Sequence, residues 1–185
     1  MTRRFYFHGP LVDVAAELVA PNLQGAASVL SFKMRGNTKT YGWHQDNGYG
    51  ELSPDTALSV LMALDDVDEE NGCLWMLPGS HKAGIIEAGR ANLANKMSLS
   101  DNDLTMDEAA AVPIHMKAGD CIFVHGYTVH KSNGNFSDRD RRLLFVRYAE
   151  ADSVEIYNDR KPRLGKLLRG QAKNPELTRY EHDLD

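Results

Sequence analysis

Cysteine is scarce: Cys73 and Cys121 are the two in 185 residues, each inside an apolar segment. That pattern excludes a disulfide framework and reads as buried thiols in a reducing cytoplasm. Long apolar runs are missing as well. The opening MTRRFYFHGP has two arginines but no apolar stretch of signal-peptide type, and no run approaches the roughly 20 residues that cross a bilayer, so a membrane partner is not expected. Positive charge is in deficit, with 21 Lys+Arg against 26 Asp+Glu and a formal charge of -5. This argues against a nucleic-acid partner, because neutralising phosphates takes a clustered basic surface. Internal repeats and low-complexity tracts are absent too, which excludes solenoids and linker arrays. What the chain does have is 42% hydrophobic residues over 185 positions, enough for a core. Residues 1–185 are therefore read as one domain.

After Pro10, LVDVAAELVA has helical apolar spacing, with Pro10 suited to the first turn and Pro21 to the stop, which predicts a helix over residues 10–20. The texture then changes to short runs broken by Gly, Asn, Pro and Asp: AASVLSFKM, YGWHQD, TALSVLMAL, GCLWMLP, VPIHMKA, DCIFVHG and RRLLFVRYA. Such runs predict strands of an antiparallel double-sheet jelly roll, a mainly β fold. Residues 84–112 are polar, partly helical and too long for a hairpin turn, as binding loops often are. The charged tail 159–185 is expected to lie over the surface of a core spanning about 28–158.

The segment TYGWHQDNGYG sets His44 and Asp46 two residues apart. In a strand, residues i and i+2 share a face, so these two side chains project together while Gln45 points away. DCIFVHGYTVHKS offers His125 and His130 as a third ligand. Two histidines and a carboxylate on one face of an ion leave open positions, the arrangement of non-haem Fe(II) oxygenases. The bland alternative is a strand end capped by polar residues.

Several motifs in order resemble the phytanoyl-CoA dioxygenase family, Fe(II)- and 2-oxoglutarate-dependent oxygenases of double-stranded β-helix (cupin-like) fold. They are WHQD at 43–46, ALDDVDEENGCLWMLPGSHK at 63–82 and GDCIFVHGYTVHKSNGN at 119–135, followed by RRLLFVRYA. The resemblance implies His44, Asp46 and His130 as iron ligands, with His125 left to packing. It implies Arg141, eleven residues beyond His130, as the cation for the cosubstrate's far carboxylate, Ser132 as a hydroxyl on that carboxylate, and Leu61 as an apolar wall beside it. A buried carboxylate calls for a planar bidentate cation, and Arg142 competes for the role because either arginine heads a strand face. The Gly79 and Ser80 turn, His81 and the acids Asp65, Asp66, Asp68, Glu69 and Glu70 read as structural or solvated.

The implied chemistry is hydroxylation of a small organic substrate by O2, with 2-oxoglutarate oxidatively decarboxylated to succinate and CO2. In related halogenases the aspartate position carries a small residue, so Asp46 favours hydroxylation. Only about 27 residues precede the strand matching SVLSFKM, fewer than the family usually has. Two alternatives follow: a partner subunit, as in a homodimer, that completes the pocket, or a catalytically impaired metal- or ligand-binding domain. A jelly-roll metalloenzyme with a different reaction is disfavoured by Arg141 and Ser132.

Overall fold

Helix α1, Pro10–Leu18, starts at a proline whose fixed φ and missing N–H suit the first turn, where no intrahelical partner exists for that N–H. It is the helix expected from the apolar spacing, ending two residues early at the Val19 cap. The computed structural model describes residues 6–46, 52–86 and 107–177. Within these, twelve strands form three antiparallel sheets.

The larger sheet has the order β12-β1-β9-β4-β7, comprising Lys166–Arg169, Leu23–Lys33, Arg141–Glu150, Leu58–Ala63 and Cys121–His125. The facing sheet is β2-β8-β5-β6: Tyr41–His44, His130–Ser132, Leu74–Met76 and Val112–Ile114. A small third sheet joins β11 (Lys161–Pro162), β10 (Val154–Glu155) and β3 (Leu52–Ser53). The chain is thus mainly β, two facing antiparallel sheets with a short helix outside.

Alternation along β9 divides the packing. Leu144, Val146 and Tyr148 face out and join Val12 and Ala15 of α1, with Leu23, Leu58 and Val60. Full burial of a side chain such as Val12 contributes roughly 1.5–3 kcal/mol, so this layer fixes α1 to the sheet. Leu143 faces in, toward Leu61, Ala63 and Val124 of the same sheet and Leu74 and Met116 across from it. The inner face therefore carries residues 141, 143, 145 and 147 of β9, and the ladder sets Lys33 opposite Arg141 and Ser59 opposite Arg147.

One feature departs from the sequence expectation, and a second expectation falls mostly outside the described residues. The tail contributes β12, whose Lys166, Leu167 and Arg169 pair with β1 at the sheet edge, and Leu177 is fully buried. Its charge density hid the short KLLR run. Of the polar excursion 84–112, residues 87–106 lie outside the described set, while its flanks form 3-10 turns at Ser80–Ala83 and Glu108–Ala110. No helix of the described residues is long and apolar enough to cross a membrane.

Candidate metal centre

His44 ends β2 directly opposite His130 of β8, so register alone brings the two imidazoles onto one face, with ring centroids 4.2 Å apart. Asp46 lies just past the strand end rather than within it. Its carboxylate nevertheless reaches the same point: Oδ1 is 3.8 Å from His130 Nε2, and ligand atoms of His44, Asp46 and His130 all lie within 4.8 Å of one another. Strand pairing stops at His44 because β8 begins at His130, which frees Asp46 to turn inward.

Each imidazole is oriented from behind. His44 Nδ1 pairs with the Gly42 carbonyl at 2.8 Å and His130 Nδ1 with the Thr128 carbonyl at 2.9 Å. A carbonyl only accepts, so both Nδ1 atoms carry a proton, and in the neutral form of each ring Nε2 presents its lone pair, the tautomer a metal requires. Burial, then the neighbouring His130, pushes the His44 pKa down to about 4, so the ring stays neutral and ready to ligate.

Asp46 is held on its other side. Ser59 Oγ donates to Oδ2 at 2.7 Å, and Arg147 lies 3.4 Å from Oδ1. Burial alone would raise the carboxyl pKa, but His130, Arg147 and the Ser59 hydroxyl outweigh it and hold Asp46 below the usual carboxylate range. The donor set, two neutral nitrogens and one anionic oxygen around a common point, fits a divalent first-row metal.

Toward the other end of the inner face, buried Arg141 stands opposite buried Lys33 in the ladder. Arg141 is 2% exposed, donates to the Gly72 carbonyl at 2.8 Å and to Ser31 Oγ at 3.4 Å, and keeps a buried Nε without a partner among the described residues. Gly72 sits at φ 87, and a Cβ there would come within 2.8 Å of the Asn133 carbonyl, so glycine is what lets this turn approach. Burial lowers the Arg141 pKa to about 10. Arg142 points the opposite way, exposed, with its guanidinium 2.6 and 2.8 Å from the Asp65 carboxylate. Ser132 is buried on the inner face and accepts from Lys33 Nζ at 2.9 Å, and Leu61 is buried between Phe145 and Ile122 in the ladder.

Residues 8–143 match the phytanoyl-CoA dioxygenase (PhyH) family, a stretch that holds all three clustered ligands and Arg141. The chain belongs to this family. It is 32% identical over 123 residues to a phytanoyl-CoA dioxygenase of Arabidopsis thaliana, covering 63% of this chain and 41% of that one. It is 30% identical over 152 residues to phytanoyl-CoA dioxygenase domain-containing protein 1 of Danio rerio, covering 80% and 52%. The solved apo structure of the non-heme monooxygenase ThoJ shares the fold, with a TM-score of 0.72 at 24% identity, covering 98% of this chain and 70% of that one. The chain spans about half or less of the length of the curated relatives it matches.

In this phytanoyl-CoA dioxygenase family chain, the remaining candidates take up other positions. His125 stands apart from the triad, 4.0 Å from Asp55 and against the His81 and Tyr127 rings. The acids of the 65–70 run serve as partners: Asp65 for Arg142, Asp66 for Lys117 and Asp68 for Arg139. Trp43 is buried and donates to Glu108 at 2.7 Å. Gln45 donates to the Gly84 and Tyr127 carbonyls and accepts from Ile86 N–H, which ties the near flank of the excursion to the metal strand, as the Trp43–Glu108 bond ties the far one. Tyr49, the second tyrosine of the TYGWHQDNGYG segment, lies outside the described residues.

Sequence reasoning missed three site residues. Ser59 was hidden inside an apolar run. Arg147 was visible as a second arginine on the Arg141 face, and its meaning emerges only beside Asp46. Lys33, a single lysine in an apolar strand, is 2% exposed, with its pKa lowered to about 7 by burial and by the adjacent Arg141.

Proposed function

We propose that this phytanoyl-CoA dioxygenase family chain is an Fe(II)- and 2-oxoglutarate-dependent dioxygenase that hydroxylates a small organic substrate, with succinate and CO2 as coproducts. The observation that carries the reading is the convergence of His44, Asp46 and His130, buried or half-buried, with both imidazoles in the metal-ready tautomer. Bound there, Fe(II) supplies the activation of O2 that couples decarboxylation of the oxo acid to substrate oxidation. The chain's own residues do the rest. The two carbonyls behind the histidines hold their protons on Nδ1, and Ser59 and Arg147 hold the Asp46 carboxylate ionised and in one rotamer.

The reading assigns the far carboxylate of 2-oxoglutarate to Arg141 and Ser132, and the wall beside it to Leu61. Its support is the burial of Arg141, its partnerless Nε and the absence of a carboxylate bonded to it among the described residues. A buried guanidinium in that state favours a planar anion that accepts two parallel bonds. Arg142, already paired with Asp65 at the surface, is poorly disposed for the same task. The reading takes the described elements as one oxygenase domain and sets it in a reducing cytoplasm, where Cys73 and Cys121 stay free thiols.

A second reading is metal and oxo-acid binding without turnover. It is favoured by Val29, on the inner face of β1 yet 56% exposed. Anaerobic titration of Fe(II) into protein plus 2-oxoglutarate, followed by the visible charge-transfer band, tests the site. The first reading expects a band in the parent, none in Asp46→Ala, and succinate once O2 is admitted. A band without succinate supports the second reading, and no band in folded parent protein refutes both.

A further inference from the structure

Arg147 points from β9 into the sandwich beside the metal triad, and its guanidinium is only partly used. Among the described residues Asp46 is the one carboxylate within ion-pair distance, and the 3.4 Å from Nη2 to Oδ1 is long for a hydrogen bond. Nε is buried without a partner. The side chain nevertheless keeps 22% of its surface exposed, so solvent reaches the rest of the group. Oδ1 is moreover the oxygen turned toward His130 Nε2, the one offered to the metal.

The surroundings of this group are open and apolar. In the β1/β9 ladder Ala27 stands opposite Arg147 and Val29 opposite Phe145, so all four side chains share the inner face. Ala27 offers a single methyl group to cover the guanidinium, Val29 is exposed, and Phe145 is half-buried with its ring centroid 5.7 Å from the guanidinium carbon. β12 pairs with β1 only as far as Gly25, so among the described residues no strand lies beside Ala27 and Val29 on that edge. An accessible apolar strip thus runs from Val29 past Phe145 to a cation at the metal centre.

Charge balance says what the strip accommodates. Fe(II) in the triad brings two positive charges and Arg147 a third, against one negative charge on Asp46 and one on the oxo-acid end of 2-oxoglutarate. One positive charge is left over, in a half-buried site where an unbalanced charge is costly. A carboxylate supplies the missing charge and accepts two N–H groups of the planar fork, whereas a phosphate monoester oversupplies it. We propose that Arg147 is a substrate-binding residue and that the substrate is an apolar carboxylate, its anion on the open side of Arg147 and its body along Phe145 and Val29. The proposal rests on the oxoglutarate reading and names a substrate class for it.

The test is calorimetric binding of hexanoate and of neutral hexanamide to the full chain saturated with Ni(II) and 2-oxoglutarate. Neighbouring positions on one face of a strand lie roughly 7 Å apart, about the length of either probe. The parent is expected to bind hexanoate at least about 10-fold more tightly than hexanamide, and Arg147→Met to bind the two alike. Because Arg147 also faces Asp46, the readout is the ratio of the two affinities, which partial loading with metal leaves unchanged. Ala27→Glu reaches the same point without altering Arg147: its carboxylate stands opposite the guanidinium and is expected to abolish the preference for hexanoate. A parent that binds hexanoate no better than hexanamide, or that prefers hexyl phosphate to hexanoate, overturns the proposal. So does a preference kept in full in Arg147→Met or in Ala27→Glu, which would put the carboxylate on the metal itself. A parent that takes up Ni(II) but no 2-oxoglutarate sinks the oxoglutarate reading and this proposal with it, whereas one that takes up both and treats hexanoate and hexanamide alike sinks the Arg147 role alone.

Discussion

Ser59→Ala removes one hydroxyl near the start of β4 and leaves every proposed iron ligand in place. In the folded protein Ser59 Oγ donates to Asp46 Oδ2 at 2.7 Å, with the two residues 1% and 6% exposed. The opposite oxygen, Oδ1, faces His130 Nε2 and Arg147, so Ser59 decides which oxygen is held by protein and which is offered to the metal. A buried hydrogen bond to a charged group contributes about 1.5–3 kcal/mol, and each 1.4 kcal/mol is about tenfold in affinity. Losing it also moves the Asp46 pKa upward, which lets a proton compete with the metal. The variant is therefore expected to bind a divalent metal roughly 10- to 100-fold more weakly at neutral pH, in line with the usual cost of losing a contact behind a ligand. Anaerobic titration with Fe(II), with Co(II) as a spectroscopic substitute, measures this directly. Folded Ser59→Ala with an affinity within about twofold of the parent would refute the claim that this hydroxyl positions the carboxylate.

Other outcomes follow from the same geometry. His130→Ala is expected to abolish Fe(II) binding and His125→Ala to retain it; the reverse result in the same titration reassigns the third ligand. Arg141→Met is expected to raise the 2-oxoglutarate requirement by about 10-fold or more, from loss of a charge-assisted contact, whereas Arg142→Met leaves it unchanged because that side chain is occupied at the surface by Asp65. Succinate assays over a range of 2-oxoglutarate decide between the two arginines. For His44, burial holds the folded pKa at about 4 against 6.5 for the free group. The unfolded chain therefore takes up a proton that the folded one refuses. Stability from this group is full above pH 6.5, falls as the pH drops toward about 4 and levels off below that, a loss on the order of 1–3 kcal/mol. Melting of the metal-free protein over that window should show the decline in the parent and a weaker one in His44→Gln; identical slopes would count against it.

The sequence by itself determined the strand-rich architecture, because alternating apolar runs of this length between turn residues have few other ways to bury one face. It determined the helix after Pro10 as well, and i and i+2 alternation paired His44 with Asp46 as candidate ligands, while the choice of His130 over His125 came from the family resemblance. Edge pairing of β12 escaped it because a four-residue strand in a charged tail carries almost no period. The choice between Arg141 and Arg142 was also beyond local rules. Both faces of β9 begin with arginine and continue apolar, and only packing between sheets on one side, with Asp65 waiting on the other, gives them different environments. Ser59, Arg147 and Lys33 belong to the same class. Each acquires its meaning from a partner far away along the chain, Asp46 for the first two and Arg141 for the third, and such pairs come together only when strand register closes the sheet. Tertiary structure decided which buried charges face one another, because burial and Coulomb interaction depend on distance in space, and separation in sequence does not report it.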